Sequence, residues 1–265
     1  MTWTEAVILG IVQGLTEFLP VSSSGHLELG SVLLGVQSSN NLLFTIIVHA
    51  ATALSTLVVF RKEIAILIID TFKFQWNGST QYVAKIVLSM IPVGVVGYLF
   101  EDKIETLFNG QIVLVSCMLG LTGILLLISH YTRPKDGPVT FFKALIIGIA
   151  QTIAIMPGIS RSGSTITTAL FLGVERSKAA RFSFLMVLPP ILGAALLKTI
   201  EFMKAPAHVA GEISTAALIV GFLAAFIAGL LACTWMISLV RKGKLIYFAI
   251  YCLIIALIGI GSTML

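Results

Sequence analysis

The chain has 265 residues, of which 57% are hydrophobic and only 11% charged, with a mean hydropathy of +1.03. A soluble domain carries roughly 25% charged residues to cover its surface, so a soluble enzyme, a disordered protein and a nucleic-acid-binding module are all excluded. The net charge of +5 then reads as membrane-topology information rather than as a nucleic-acid footprint. Cys117, Cys233 and Cys252 are odd in number and sit inside apolar runs, as small packing residues do, and not as a disulfide framework or a metal knuckle.

In chain order, the first apolar stretch (about 5–36) is interrupted by Leu19-Pro-Val-Ser-Ser-Ser-Gly-His26. Runs that read as full spans follow at about 41–60, 82–100 and 111–130. A second broken stretch, about 143–174, is interrupted by Met156-Pro-Gly-Ile-Ser-Arg-Ser-Gly-Ser-Thr165, and further spans follow at about 182–203, 213–240 and 245–265. Pro189-Pro190 should kink the fourth span without ending it. On either side of each break too few apolar residues remain for the ~20 that a crossing needs. Such lengths suit re-entrant hairpins, whose non-helical tips must be buried in protein or line a wet cavity.

The two broken stretches are copies. A shift of 138 residues pairs Ala6, Ile8, Gly10, Ile11 and Gln13 with Ala144, Ile146, Gly148, Ile149 and Gln151. It also pairs Ser22, Ser24 and Gly25 with Ser160, Ser162 and Gly163, and Leu34-Gly35-Val36 with Leu172-Gly173-Val174. The expected fold is therefore an all-α polytopic membrane protein, a single membrane domain with internal repeats at about 1–138 and 139–265. Each repeat holds one re-entrant helical hairpin and three transmembrane helices, six full spans in all. Three crossings per repeat invert the second copy, the plan in which paired broken segments share a site near the midplane.

The basic residues agree with that count. Alternating sides along the chain gathers Arg61, Lys62, Lys73, Lys85, Arg133, Lys135, Lys143, Arg176, Lys178, Arg181, Arg241, Lys242 and Lys244 on one side. Only Lys103, Lys198 and Lys204 fall on the other, and Arg161 lies at a hairpin tip. Positive residues favour the cytoplasm, so both termini are expected outside.

Ionisable groups at membrane depth default to functional roles. Glu17, His26, His49 and Arg161 are the deep ones, with Glu28 read as a rim residue and His49 as a satisfied core histidine. In the second break Ser160, Ser162, Gly163 and Thr165 open a half-helix whose free N–H groups and dipole make an anion site. There Arg161 adds a planar fork suited to phosphate oxygens, and it can also pair with a carboxylate such as Glu17. Ser22, Ser23, Ser24 and Gly25 repeat that design in the first break, with His26 on the first turn as the proton-handling candidate. Gln13 and Glu17, four residues apart, share a helix face and could hold a divalent cation, orient a histidine or hold a water. A doubly charged anion such as a diphosphate fits between the two half-helix N-termini.

Gln13-Gly-Leu-Thr-Glu17-Phe-Leu-Pro-Val-Ser-Ser-Ser-Gly-His26 resembles the (Glu/Gln)xxxGlu motif and serine-rich segment of bacterial undecaprenyl-diphosphate phosphatases, also called bacitracin-resistance proteins. Pro157-Gly-Ile-Ser-Arg-Ser-Gly-Ser-Thr165 resembles the family's PGxSRSGxT signature, and the similarity covers the whole chain. The resemblance implies a hydrolase that converts undecaprenyl diphosphate to undecaprenyl phosphate and inorganic phosphate. Such an enzyme recycles the carrier for peptidoglycan and cell-wall synthesis and confers bacitracin resistance. It implies a multi-pass protein of the bacterial cytoplasmic (inner) membrane, its site facing outward, aided by Mg²⁺ or Ca²⁺. By position, Glu17, His26 and Arg161 match the family's essential residues, and Ser23 and Ser160 its site serines; Gln13 stands where many members have Glu. The partners implied are the lipid substrate and the bilayer, no nucleic acid, with a homodimer as a further expectation. The residues leave Ser23, His26 and water open as nucleophile. The rival from another class is a polyprenyl-phosphate flippase or secondary transporter on the same repeat, which would move lipid without releasing phosphate.

Overall fold

A computed structural model describes residues 1–36, 41–100, 111–133, 135–204 and 213–263. These form twelve α-helices and, among the described residues, no strand beyond an isolated Gly137–Val174 bridge. Lys103 and the last two residues of the run 245–265 lie outside the described residues.

Helix α1 (Trp3–Phe18) begins in a capping box, with Glu5 N–H donating to the Thr2 hydroxyl and Thr2 N–H donating to the Glu5 carboxylate. It stops at Leu19, whose extended backbone is what a following proline imposes. Helix α2 (Ser23–Leu33) starts four residues later. The pattern recurs in α7 (Phe141–Ile153) and α8 (Arg161–Phe171), interrupted at Pro157-Gly158. At 1.5 Å per residue these helices are about 17–24 Å long, short of the ~30 Å hydrocarbon thickness. Within each pair the two helices pack on one another.

Between and after the broken pairs stand longer helices. α3 (Asn41–Val59) bends by 77° at Phe60 into α4 (Arg61–Thr71). α5 (Gly78–Leu99) and α6 (Ile112–His130) follow. After α8 come α9 (Arg176–Met186), α10 (Leu188–Lys204), α11 (Thr215–Arg241) and α12 (Ile246–Ser262). Among the described residues, four segments are long and apolar enough to cross a membrane: α5, α6, Arg176–Leu197 and α11, with the bent pair α3–α4 as a fifth. α12 is shorter, at 17 residues, and equally apolar. The expected kink near Pro189 falls just ahead of it, as a one-residue interruption at Val187. α4 was not expected as a separate helix; its exposed Ile66, Ile68 and Ile69 face away from the bundle.

Small residues set the packing. A Cβ on Gly10 would lie 2.5 Å from the Gly221 carbonyl oxygen, and one on Gly148 would lie 2.3 Å from that of Ser89. α1 therefore seats on α11, and α7 on α5, by backbone contact of the kind that small residues allow between membrane helices. Gly10 and Gly148 are related by the same 138-residue shift that relates the breaks, and the helices they meet, α11 and α5, correspond under nearly the same shift. Phe18, at the end of α1, is buried edge-on against Phe184 of α9 with ring centroids 5.9 Å apart, which fixes the backbone beside Glu17.

Candidate functional site

The two breaks meet. Ser162 Oγ, at the start of α8, donates to the carbonyl of Leu19 in the first break at 3.2 Å. A Cβ on Gly25 would come within 3.4 Å of Gly158 Cα, and one on Gly163 within 3.3 Å of Pro20 Cβ. Gly158 itself has φ +89°, and a Cβ there would fall 2.2 Å from the Val115 carbonyl oxygen, so the turn requires glycine. α12 seals the first break from the side, where Cys252 Sγ donates to the Pro20 carbonyl at 3.7 Å.

Both half-helices are capped in the same way. Ser22 Oγ accepts from Gly25 N–H at 3.3 Å, and Ser160 Oγ accepts from Gly163 N–H at 3.0 Å. Each cap hydroxyl also lies 3.3 Å from a second one, Ser24 and Ser162 respectively. With the third amide of each helix engaged by its cap, the amides of the first two residues have no helical acceptor. They give each N-terminus its partial positive charge. Ser22 holds φ +67°, a conformation that non-glycine residues rarely adopt. In return its carbonyl is presented to His26 at both the backbone N–H (3.1 Å) and ring Nδ1 (2.8 Å).

Glu17 is the hub. Its side chain is 6% exposed, and its Oε1 accepts from Arg161 Nη2 across the junction between the breaks. Its Oε2 accepts from Ser23 Oγ at 2.6 Å and from Gln13 Nε2 at 2.9 Å. Four residues that the sequence nominated separately thus form one connected group, and a carboxylate this buried is tolerable because it is paired and fully hydrogen-bonded. Beside the ion pair is a small cavity of about 20 Å³, room for one water, lined by Thr52, Thr56, Ser162 and Ser183 as well as the pair.

Not every nominee joins. Thr165 Oγ1 turns to Arg161 O at 2.9 Å and to the Ser183 hydroxyl, away from the ion pair. His26 contacts neither Glu17 nor Ser23 through a hydrogen bond. Its Nδ1 meets the Ser22 carbonyl, and its Nε2 meets Tyr251 Oη at 2.8 Å. An imidazole does approach Glu17, but it belongs to His49, with Nε2 3.8 Å from Oε2 and Nδ1 on the Thr45 carbonyl. The sequence reading left His49 in the core. The signal that could have found it is its spacing with Thr52 and Thr56, a polar stripe along one face of an apolar span. Tyr251 had no signal beyond being a polar-tipped aromatic in an otherwise apolar helix.

For a divalent cation the protein's share is small. Gln13 Oε1 is buried and without a partner, while the Nε2 of the same amide donates to Glu17 Oε2. Among the described residues no three acidic, histidine or cysteine side chains gather around a point. One amide oxygen and one carboxylate suit Mg²⁺, which keeps several waters and binds through substrate phosphates; they do not make an all-protein cage.

The chain matches the family model described as bacitracin resistance protein BacA over residues 6–258. It is 56% identical over 266 residues to the undecaprenyl-diphosphatase of Parabacteroides distasonis, covering 100% of both chains. It is 57% identical over 258 residues to that of Bacteroides thetaiotaomicron, covering 97% of both. To that of Christiangramia forsetii it is 51% identical over 258 residues, covering 97% of this chain and 96% of the relative. A site built from both breaks, and a match that runs through both of them, lead to one conclusion: the chain belongs to the BacA family of bacitracin resistance proteins.

Proposed function

We propose that this protein is an integral membrane phosphatase that hydrolyses undecaprenyl diphosphate to undecaprenyl phosphate and inorganic phosphate. It recycles the lipid carrier for cell-wall synthesis and confers bacitracin resistance. The observation that carries this reading is the junction of the breaks, where Arg161 and two half-helix N-termini converge on Glu17 and Ser23. That combination of anion binding and a held hydroxyl is what phosphoryl transfer needs, and the names of the relatives agree with it.

In this reading the protein sits in the cytoplasmic membrane as two inverted repeats, each a re-entrant hairpin and three spans, with both termini and the site on the outer side. The matched seams α1–α11 and α7–α5 support the repeat, and the basic residues support the orientation. The tail stays in lipid while the diphosphate enters between the breaks. There Arg161, the free first-turn amides, and the Ser22, Ser24, Ser160 and Ser162 hydroxyls hold its oxygens. Thr165 supports this set from behind, through the Arg161 carbonyl.

The 2.6 Å Ser23–Glu17 hydrogen bond favours Ser23 as the nucleophile. Ser23 Oγ bonds to the terminal phosphorus as its proton passes to Glu17. The bond from that phosphorus to the bridging oxygen breaks, and undecaprenyl phosphate leaves. Water then bonds to that phosphorus and gives a proton to His26, the bond to Ser23 Oγ breaks as Oγ takes its proton back from Glu17, and inorganic phosphate leaves. A divalent cation, held by the diphosphate with Gln13 Oε1 and Glu17 as its protein ligands, would add neutralisation of the charge that grows on the phosphoryl oxygens.

The test is phosphate release from undecaprenyl diphosphate by purified protein in detergent, with Arg161→Ala, His26→Ala and Glu17→Ala alongside. Turnover by the wild type and losses of about 10²-fold or more in all three variants are expected. Binding and movement of the lipid without phosphate release would replace the phosphatase with a flippase.

A further inference from the structure

We infer that Tyr251, on the last helix, is the positioning residue of His26: its hydroxyl holds Nε2 and so fixes the tautomer and orientation in which the imidazole handles protons. The inference rests on the proton-transfer role of His26 proposed above. It is carried by three contacts around one ring. Nδ1 lies 2.8 Å from the Ser22 carbonyl, which can only accept, so Nδ1 carries the hydrogen. In the neutral imidazole Nε2 is then the lone-pair nitrogen, and Tyr251 Oη, 2.8 Å away, donates to it. The two rings lie nearly parallel, 15° apart with centroids at 5.5 Å, so the tyrosine limits rotation as well as capping the nitrogen.

A phenol suits this place because its O–H can turn. When His26 gains a proton, the Tyr251 Oη hydrogen passes to Nε2 and the proton from water takes its place on Oη, so Nε2–H becomes the donor and Oη the acceptor with no heavy atom displaced. The Ser22 carbonyl accepts from Nδ1–H in either state. The ring therefore keeps both hydrogen bonds through a full proton cycle, a form of preorganisation that neither Glu17 nor Ser23 provides, since both are committed to the Arg161 hub. Tyr251 is itself held in place by its neighbour Cys252, which is buried against the Pro20 carbonyl. The last helix thus reaches the first break through two consecutive residues.

The experiment uses the full-length protein in detergent with ¹⁵N-labelled histidine. Tyr251→Phe keeps the ring and removes only the hydroxyl. Expected are a kcat lower by about 10- to 100-fold with KM within about threefold, the scale on which removing a histidine's outer partner acts, and a moved Nε2 resonance of His26. A resonance and a turnover that both stay at wild-type values in Tyr251→Phe, while His26→Ala is inactive, would overturn the inference and leave the role of His26 intact. If His26→Ala itself keeps wild-type turnover, the reading beneath the inference fails, and with it any catalytic consequence of Tyr251. A changed KM with unchanged kcat would make Tyr251 a substrate contact and equally overturn it.

Discussion

Replacing Glu17 with glutamine is the most informative single perturbation of this site, because the change keeps the shape while removing the charge and turning one acceptor oxygen into an N–H donor. Hydrogen bonds to a charged partner contribute about 1.5–3 kcal/mol and neutral ones about 0.5–1.5 kcal/mol, so each bond that Glu17 accepts loses on the order of 1 kcal/mol. Two of them, from Arg161 and Ser23, hold groups that the proposed mechanism sets at the phosphoryl centre; the third, from Gln13, only braces the carboxylate. Two bonds amount to about 2 kcal/mol, or roughly 30-fold in turnover, and the loss of the proton acceptor for Ser23 adds a further factor of about 10² or more. Arg161→Lys keeps the charge and loses the planar fork. Since Glu17 and Arg161 touch, the double variant should cost less than the two singles combined, with a coupling of about 1–2 kcal/mol. The assay is initial-rate phosphate release from undecaprenyl diphosphate for wild type, both singles and the double. Glu17→Gln within threefold of wild type, or single effects that add to within about 0.5 kcal/mol, would refute the hub described above.

Other outcomes can be checked independently. EDTA should abolish phosphate release and added Mg²⁺ or Ca²⁺ should restore it; full activity after exhaustive chelation would remove the cation from the mechanism. Gly158→Ala places a Cβ 2.2 Å from the Val115 carbonyl oxygen at φ +89°, costing at least about 1–3 kcal/mol in backbone strain alone. It should lower the apparent melting temperature in detergent, whereas Gly97→Ala, where a Cβ meets open space, should not. In a background with Cys117 replaced, a cysteine at Lys242 should react with a membrane-impermeant maleimide only after the cells are opened; labelling in intact cells would reverse the proposed orientation.

What was legible in the sequence was chiefly what local chemistry decides. Leu19-Pro20 and Pro157-Gly158 stop helices, Ser22 and Ser160 start them, and the 138-residue shift pairs the two events, so both breaks stand where the sequence puts them. Most of the long apolar runs likewise became helices within a few residues of their expected ends, whereas the run at 182–203 begins early, at Arg176, and is split at Val187. The bend of 77° between α3 and α4 was not legible, because the chain turns at Phe60 with neither proline nor glycine to mark it. The wiring of the site was harder still. Ser23 and His26 are neighbours on the first turn of α2, and the sequence left both open as nucleophile, with Glu17 able to orient a histidine. In the structure they point to different partners, Ser23 to Glu17 and His26 to Tyr251, 225 residues away. Side-chain direction on a helix start depends on what packs over it, and here that is α1, α6 and Tyr251 of α12, whose placement no short motif encodes.

The pairing of Glu17 with Arg161 also has a bearing on how the molecule is made. The carboxylate is synthesised 144 residues ahead of the guanidinium that neutralises it. A nascent chain that has delivered only its first half to the membrane therefore carries an acidic group without its counter-charge, and the protonated acid is the form that lipid tolerates. The ion pair can form only once the second break has arrived, so a truncated first half lacks the counter-charge that Glu17 has in the whole chain.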